Sequence, residues 1–181
     1  MEIKKINAIL DASEVKKLCA GDEVLISGEI WTARDAAHKR FVELVKIGEK
    51  LPIEIKNRII YFTGPTPAKP NEIIGSAGPT TSGRMDVYSP ILIRKAGLTG
   101  MIGKGNRSKE VVEAMMECGA VYFAAVGGAA ALISKTIKEA QIVAYPELGA
   151  EAVRKLRVEN FPVIVAIDSF GKSLYELRGG N

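Results

Sequence analysis

Three cations stand where fold stability alone would not place them. Arg34, in "ARDAAHKR", and Lys104, in "MIGKGNRS", each follow a predicted strand and precede a predicted helix. Arg84, in "GPTTSGRMD", closes a long loop just before another helix. A helix start carries partial positive charge, so a cation there gives up as much as about 1 kcal/mol. The shared placement suits a negatively charged ligand held in the crevice at strand ends by the cations and by free backbone N–H groups. Each residue taken singly reads more readily as a solvated surface charge. Their common position and glycine-rich flanks favour the site.

Other chemistries fit these residues poorly. A phosphate-binding P-loop, GxxxxGK[ST], would need a glycine where Leu98 stands and a Ser or Thr in place of Gly105; read as GxGxxG, the same stretch has Ser108 where the third glycine belongs. Gly103-Lys104-Gly105 instead reads as a lysine at a tight backbone position that a small ligand can approach closely. His38 lies about one turn into the helix after Arg34; a lone imidazole there reads as a structural or supporting group rather than a metal ligand. "TTSGR" is not the G-x-S-x-G elbow of a serine hydrolase, and His38 is the one histidine available as a base.

The elements that must hold these residues are legible in the apolar spacing. Ile3–Ala8 reads as a strand, Asp11-Ala12-Ser13-Glu14 as the capped entry to a helix ending at Gly21, and Glu23–Trp31 as an alternating strand. From Asp35, Ala37, Phe41, Leu44, Val45 and Ile47 fall on one helical stripe. Arg58–Thr63 is strand-like. Residues 64–83, with Pro65, Pro67, Pro70, Pro79 and interspersed glycines, predict a long loop of functional character. Then follow a helix from Ser89-Pro90 to Gly97, a strand Thr99–Ile102, and a helix capped by Ser108 and stopped at Gly119. The remaining predicted elements are strand Ala120–Val126, helix Gly127–Ile137, strand Gln141–Tyr145, helix Pro146–Leu156, strand Phe161–Asp168, a turn at 169–172 and strand Ser173–Leu177. This alternation predicts a layered α/β domain with partly parallel pairing. The first third looks antiparallel, which suggests more than one sheet.

Composition narrows the functions. The 181 residues, 47% of them hydrophobic, can bury a real core. The 25 Lys+Arg against 21 Asp+Glu give +4, but the basic residues are scattered without interleaved aromatics, which argues against nucleic acid. The apolar run Ala120–Ile133 is too short for a membrane span and contains glycines. The amino terminus lacks a signal-peptide pattern, so a cytoplasmic location is expected. Cys19 and Cys118 belong to no CxxC or Cys/His cluster and are expected to be buried thiols.

Together, "ARDAAHKR", "GPTTSGRMD", "MIGKGNRS" and "VYFAAVGGAAALI" resemble, in the same order and over almost the whole chain, the beta subunit or C-terminal domain of class I iron-sulfur fumarate hydratase. The beta subunit of L(+)-tartrate dehydratase, a close relative that shares the architecture, is the alternative reading, and a non-catalytic anion-binding or assembly module is the alternative of another class. The resemblance implies one domain over 1–181 with an α/β, swivelling β/β/α three-layer fold with mixed sheets. It also implies a [4Fe-4S] cluster held by three cysteines of a partner alpha subunit, with one iron open to substrate. This chain has no matching cysteine triad, so it would supply half of a shared site in a hetero-oligomer and would be inactive alone. Carried over motif by motif, Arg34, Arg84 and Lys104 would bind the carboxylates of malate or fumarate, and Thr80 would be the catalytic base. Val87 stands where the family carries proline, a local change before a helix.

Overall fold

The structure, a computed structural model, describes residues 2–125 and 130–179. Among these residues seven strands form one hydrogen-bonded sheet: β1 (Lys4–Asn7), β2 (Glu23–Thr32), β3 (Ile59–Tyr61), β4 (Gly100–Gly103), β5 (Val121–Ala125), β6 (Ile137–Ala144) and β7 (Val153–Ile167). Their order is β1-β2-β3-β4-β5-β7-β6, with a further pairing of β2 to β7. That pairing closes β2, β3, β4, β5 and β7 into a barrel-like ring, with β1 and β6 outside it. Closure gives each ring strand a neighbour on both sides, which reduces the edge open to another chain.

Strands β1 to β5 run parallel, and β7 is antiparallel to β2, β5 and β6. The expectation of an antiparallel first third and a second sheet is therefore corrected. Parallel neighbours need a crossover, usually helical. Helix α1 (Ala12–Val15) serves β1 to β2, and α2 (Asp35–Lys46) serves β2 to β3. Helices α3 (Ser89–Ala96) and α4 (Lys109–Cys118) flank β4, and α5 (Ala130–Thr136) and α6 (Leu174–Gly179) complete the set.

Alternate residues of the central strands enter two cores. Ile59, Tyr61, Ile102, Val121 and Phe123 join Phe161, Val163 and Val165 in a cluster that fills the ring. Ile60, Phe62, Met101 and Tyr122 face the other way, against Phe41, Leu92, Ile93, Val111 and Met115 of the helices. Burial on both faces explains why these strands read as continuous apolar runs. Each fully buried Phe or Ile contributes about 1.5–3 kcal/mol relative to exposure.

Local signals placed most helices. The Ser108 hydroxyl accepts from the Val111 N–H at 3.4 Å, and Gly97 and Gly119 end α3 and α4 with left-handed φ of 75° each. Several expectations need correction. The helix predicted to end at Gly21 is one turn, Ala12–Val15. Ile47 is 71% exposed, and the buried stripe of α2 is Ala37, His38, Phe41 and Val42. The helix predicted over Pro146–Leu156 is a 3-10 segment, Pro146–Glu151, whose last predicted residues belong to β7. One edge of β7 pairs with β2 and its other edge with β6 and then β5; two-sided pairing outweighs local preference. Ser173–Leu177 is not a strand, because α6 begins at Leu174. Cys19 and Cys118 are exposed rather than buried, the first in the turn before β2 and the second at the last residue of α4. Val126, the start of the helix predicted from Gly127, and the tail residues Gly180 and Asn181 lie outside the described residues.

Candidate active site

The parallel strands bring their carboxyl ends to one side of the ring, and the singled-out residues sit there. Arg34 follows β2 and occupies the N-cap of α2 without making a side-chain cap. Its side chain lies over Gly64, where an added Cβ would stand 3.0 Å from both its Cδ and its Nη1 and 3.2 Å from Ala150 O, so a larger residue there would push the Arg34 side chain by a few tenths of an ångström. Arg34 Nε is buried without a hydrogen bond; Asp35 Oδ2 lies 3.8 Å away and Glu151 Oε1 3.9 Å. Glu151 also accepts from the Ala36 N–H at 3.4 Å, at the positive end of α2.

Arg84 belongs to a 3-10 turn, Ser82–Met85, that ends the long loop. Its Nε donates to Asp35 Oδ1 at 3.0 Å and its Nη2 to Asp35 Oδ2 at 2.9 Å. This is the paired fork geometry by which arginine orients a carboxylate. Asp35 thus stands between Arg34 and Arg84, which lie 50 positions apart in sequence but share one anion.

Thr80 and Lys104 meet through their backbones. The Thr80 N–H donates to Phe62 O at 2.7 Å, the Lys104 N–H to Thr80 O at 3.3 Å, and the Ser82 N–H to Lys104 O at 2.9 Å. Residues 80–82 are therefore stitched to the ends of β3 and β4, with Thr81 and Lys104 forming a parallel bridge. The loop is further held by Thr63 Oγ1 donating to Gly78 O at 2.7 Å and by the Tyr61 hydroxyl donating to Ala77 O. Thr80 is half-buried and Lys104 exposed. Two sets result: Arg34 with Arg84 around Asp35, and Thr80 with Lys104 along the strand ends. Ser82, bonded to Lys104, and Arg84 belong to the same turn and join the sets.

His38, expected to be a structural or supporting group, lies beneath Arg34. It is fully buried, with its ring 5.2 Å from that of Phe62. Its Nδ1 lies 2.9 Å from Arg34 O, and because a carbonyl only accepts, Nδ1 carries the proton. Burial lowers the imidazole from its ordinary 6.5 to about 4, so the folded protein holds it neutral. The depressed value stabilises the fold fully above about pH 6.5, and that contribution is lost as pH falls from there to about 4. Between pH 7 and pH 5 this costs about 2 kcal/mol of unfolding free energy. Denaturant titrations at the two pH values are expected to show that loss, and His38→Asn, which keeps a donor near Nδ1, is expected to lack it.

Sequence reasoning missed Asp35 and Glu151, the acids that face the arginines. Asp35 stands beside Arg34 in "ARD", a pairing visible in sequence, whereas Glu151 reaches Arg34 only through the fold. A cavity of about 870 Å³ lies between residues 66–76 and α5 with β6, and none of Arg34, Thr80, Arg84 or Lys104 lines it. Charge placement is the better guide here, since an anion is recognised by fixed cations and N–H groups rather than by volume. Among the described residues, those at the crevice do not fit a [4Fe-4S] cluster. Cys19 and Cys118 lie at the opposite, amino-terminal side of the parallel strands, before β2 and β5. Among the described residues no group of three or more His, Cys, Asp or Glu could hold a metal ion. No helix among them is long and apolar enough to cross a membrane.

Known proteins resemble this chain along most of its length. The Fumarase C-terminus family pattern matches residues 2–178. A Methanocaldococcus jannaschii protein provisionally named L(+)-tartrate dehydratase subunit beta is 44% identical over 172 residues, covering 92% of this chain and 88% of that protein. The anaerobic class I fumarate hydratase of Escherichia coli K12 is 41% identical over 152 residues, covering 83% of this chain and 28% of the enzyme. Fumarate hydratase 2 of Leishmania major is 40% identical over 156 residues, covering 86% and 28% respectively. The chain therefore spans little more than a quarter of the fumarate hydratases it matches. It is similar to the terminal part of enzymes named for adding or removing water, and over nearly its full length this chain belongs to the fumarase C-terminus family.

Proposed function

We propose that this chain is the beta subunit of a two-chain class I fumarate hydratase, a cytoplasmic hydro-lyase that interconverts fumarate and L-malate. Its domain spans 1–181 in the swivelling β/β/α arrangement, a reading supported by the two cores on opposite faces of β3, β4 and β5. The observation that carries the functional reading is the fork of Arg84 on Asp35, beside Arg34: the crevice already holds a carboxylate as it would hold one end of a dicarboxylate. Arg34, Arg84 and Lys104 bind and orient the substrate carboxylates. Removing a C3 proton from malate pushes charge onto the adjacent carboxylate, and preorganised cations stabilise that charge as it develops. Thr80 is the base that takes the proton; its weak acidity requires nearby donors and positive charge to support the alkoxide. The [4Fe-4S] cluster and the acid that protonates the departing hydroxyl belong to the alpha subunit, and the two chains form a hetero-oligomer.

The match to a separate, similarly sized beta subunit supports the two-chain arrangement, and it equally favours L(+)-tartrate as substrate. Mixing this chain anaerobically with a cluster-bearing alpha chain, and measuring turnover of malate and of tartrate, tests both readings. Activity is expected only in the mixture and in preference for malate. An active chain alone overturns the shared site, and preference for tartrate replaces the substrate. In the same assay Thr80→Ala is expected to lower kcat by roughly 10²- to 10⁴-fold, the range for general acid–base groups, with little change in KM.

A further inference from the structure

Beneath the two loops lies a polar network that neither carboxylate binding nor proton transfer uses. The Arg107 side chain is wholly buried, and its Nε donates to Asp86 Oδ1 at 2.7 Å. Its Nη2 donates to Ser89 Oγ at 2.7 Å, and Nη1 lies 3.3 Å from the Met101 sulfur. The guanidinium stands 5.3 Å from the centre of the Phe62 ring and 4.9 Å from that of Tyr122. The second oxygen of Asp86 accepts from the Ser108 N–H at 2.6 Å. Nearby, the Tyr122 hydroxyl donates its one proton to Gly105 O at 2.8 Å, so its 2.8 Å contact with Ser82 Oγ must be donated by the serine.

Stability does not account for this arrangement. A buried ion pair loses the hydration of both charges, and apolar residues of similar volume often serve a fold as well. What the network does provide is register. Ser82 and Asp86 flank Arg84 on one segment, while Gly105 and Arg107 follow Lys104 on the other. Two independent ties therefore cross between the segments: Asp86 to Arg107, and Ser82 through Tyr122 to Gly105. Neither reaches the crevice side chains directly.

We propose that the Asp86–Arg107 pair and the Ser82–Tyr122–Gly105 chain are positioning elements that fix Thr80 and Arg84 relative to Lys104. The proposal rests on the functional reading above, in which those three residues act on one substrate. A displacement near 1 Å from productive geometry can cost about 10²-fold in rate, so a loop pair that shares a ligand gains from rigid cross-ties.

Two variants of the full chain test this. Tyr122→Phe removes only the hydroxyl, and Asp86→Asn with Arg107→Met removes both buried charges together, so that neither is left unpaired. Amide hydrogen exchange is read at Ser82 and Lys104 and, for comparison, at Val163 in β7; kcat and KM are read after mixing with the alpha chain. In both variants exchange is expected to speed up at Ser82 and Lys104 but not at Val163. The value of kcat is expected to fall by roughly 10- to 10²-fold and to carry most of the loss in kcat/KM. Unchanged exchange at the loops, equal acceleration at Val163, or unchanged kcat despite loosened loops would each overturn the proposal. If the wild-type mixture turns over no substrate, the functional reading falls, while exchange still decides whether the ties hold the loops in register.

Discussion

Replacing Arg84 with alanine is expected to lower kcat/KM for malate by roughly 10²- to 10³-fold in the reconstituted enzyme, the scale for losing one preorganised transition-state donor. Thermal stability is expected to move little. The Arg84 side chain is 52% exposed, and its pairing with Asp35 is the kind of solvent-facing bridge that contributes about 0–1 kcal/mol. The two readouts therefore separate a ligand-binding arginine from a structural one. Arg84→Lys sharpens the test, because lysine keeps the charge but cannot make the paired fork; it is expected to recover a minor part of the rate. A variant that retains near-normal turnover, or one that loses activity only in step with its melting temperature, would remove Arg84 from the site. Asp35 bears on the interpretation: a substrate carboxylate must share or replace it on the fork, so Arg84→Ala also leaves Asp35 beside Arg34 alone.

Gly103→Ala is expected to destabilise the fold by about 1–3 kcal/mol, the usual range for overpacking. A Cβ at this last residue of β4 would stand 1.9 Å from Ser82 Oγ, 3.0 Å from the Phe62 ring and 3.2 Å from Ser82 Cβ. The serine hydroxyl could turn away only by giving up its 2.8 Å contact with Tyr122, and Ser82 N is bonded to Lys104 O on the same segment. The clash therefore falls on the join between the Thr80 and Lys104 loops, and activity is expected to decline beyond what the stability loss explains. Denaturant unfolding checks the first effect. Adding Ser82→Ala removes the atom at 1.9 Å and is expected to restore much of the stability. If the double variant is no more stable than Gly103→Ala, the close approach to Ser82 is not what demands glycine at this position.

Much of the fold was legible because its signals are local. Apolar periodicity marked β2 and α2 and strand-favouring residue types marked β3, while Ser108 and the glycines at 97 and 119 marked helix ends through capping geometry that involves only neighbouring residues. Errors gathered where distant pairing decides. The segment Val153–Leu156 is strand because β2 and β6 bond it from both edges, and no feature of those residues announces the partners. The parallel sense of β1, β2 and β3 was missed for the same reason: strand direction is a property of crossovers, not of side-chain alternation. Cys19 and Cys118 were misjudged because a thiol's average burial says nothing of a particular turn or helix end.

The site divides along the same line. By itself the sequence determined which residues have the chemistry, since charge, the glycine-bounded lysine and the hydroxyl-rich loop are properties of residue type and near spacing. It also determined the family, through motifs whose order survives without any knowledge of contacts. Only the tertiary structure decided that Arg34 and Arg84 share Asp35, that Glu151 faces Arg34 and the start of α2, and that Thr80 is bonded through its backbone to Lys104. It alone decided that Asp86 and Arg107 pair beneath the loops. These contacts join residues brought together by ring closure and by the common direction of the strands, and such long-range geometry has no counterpart in the local pattern of the chain.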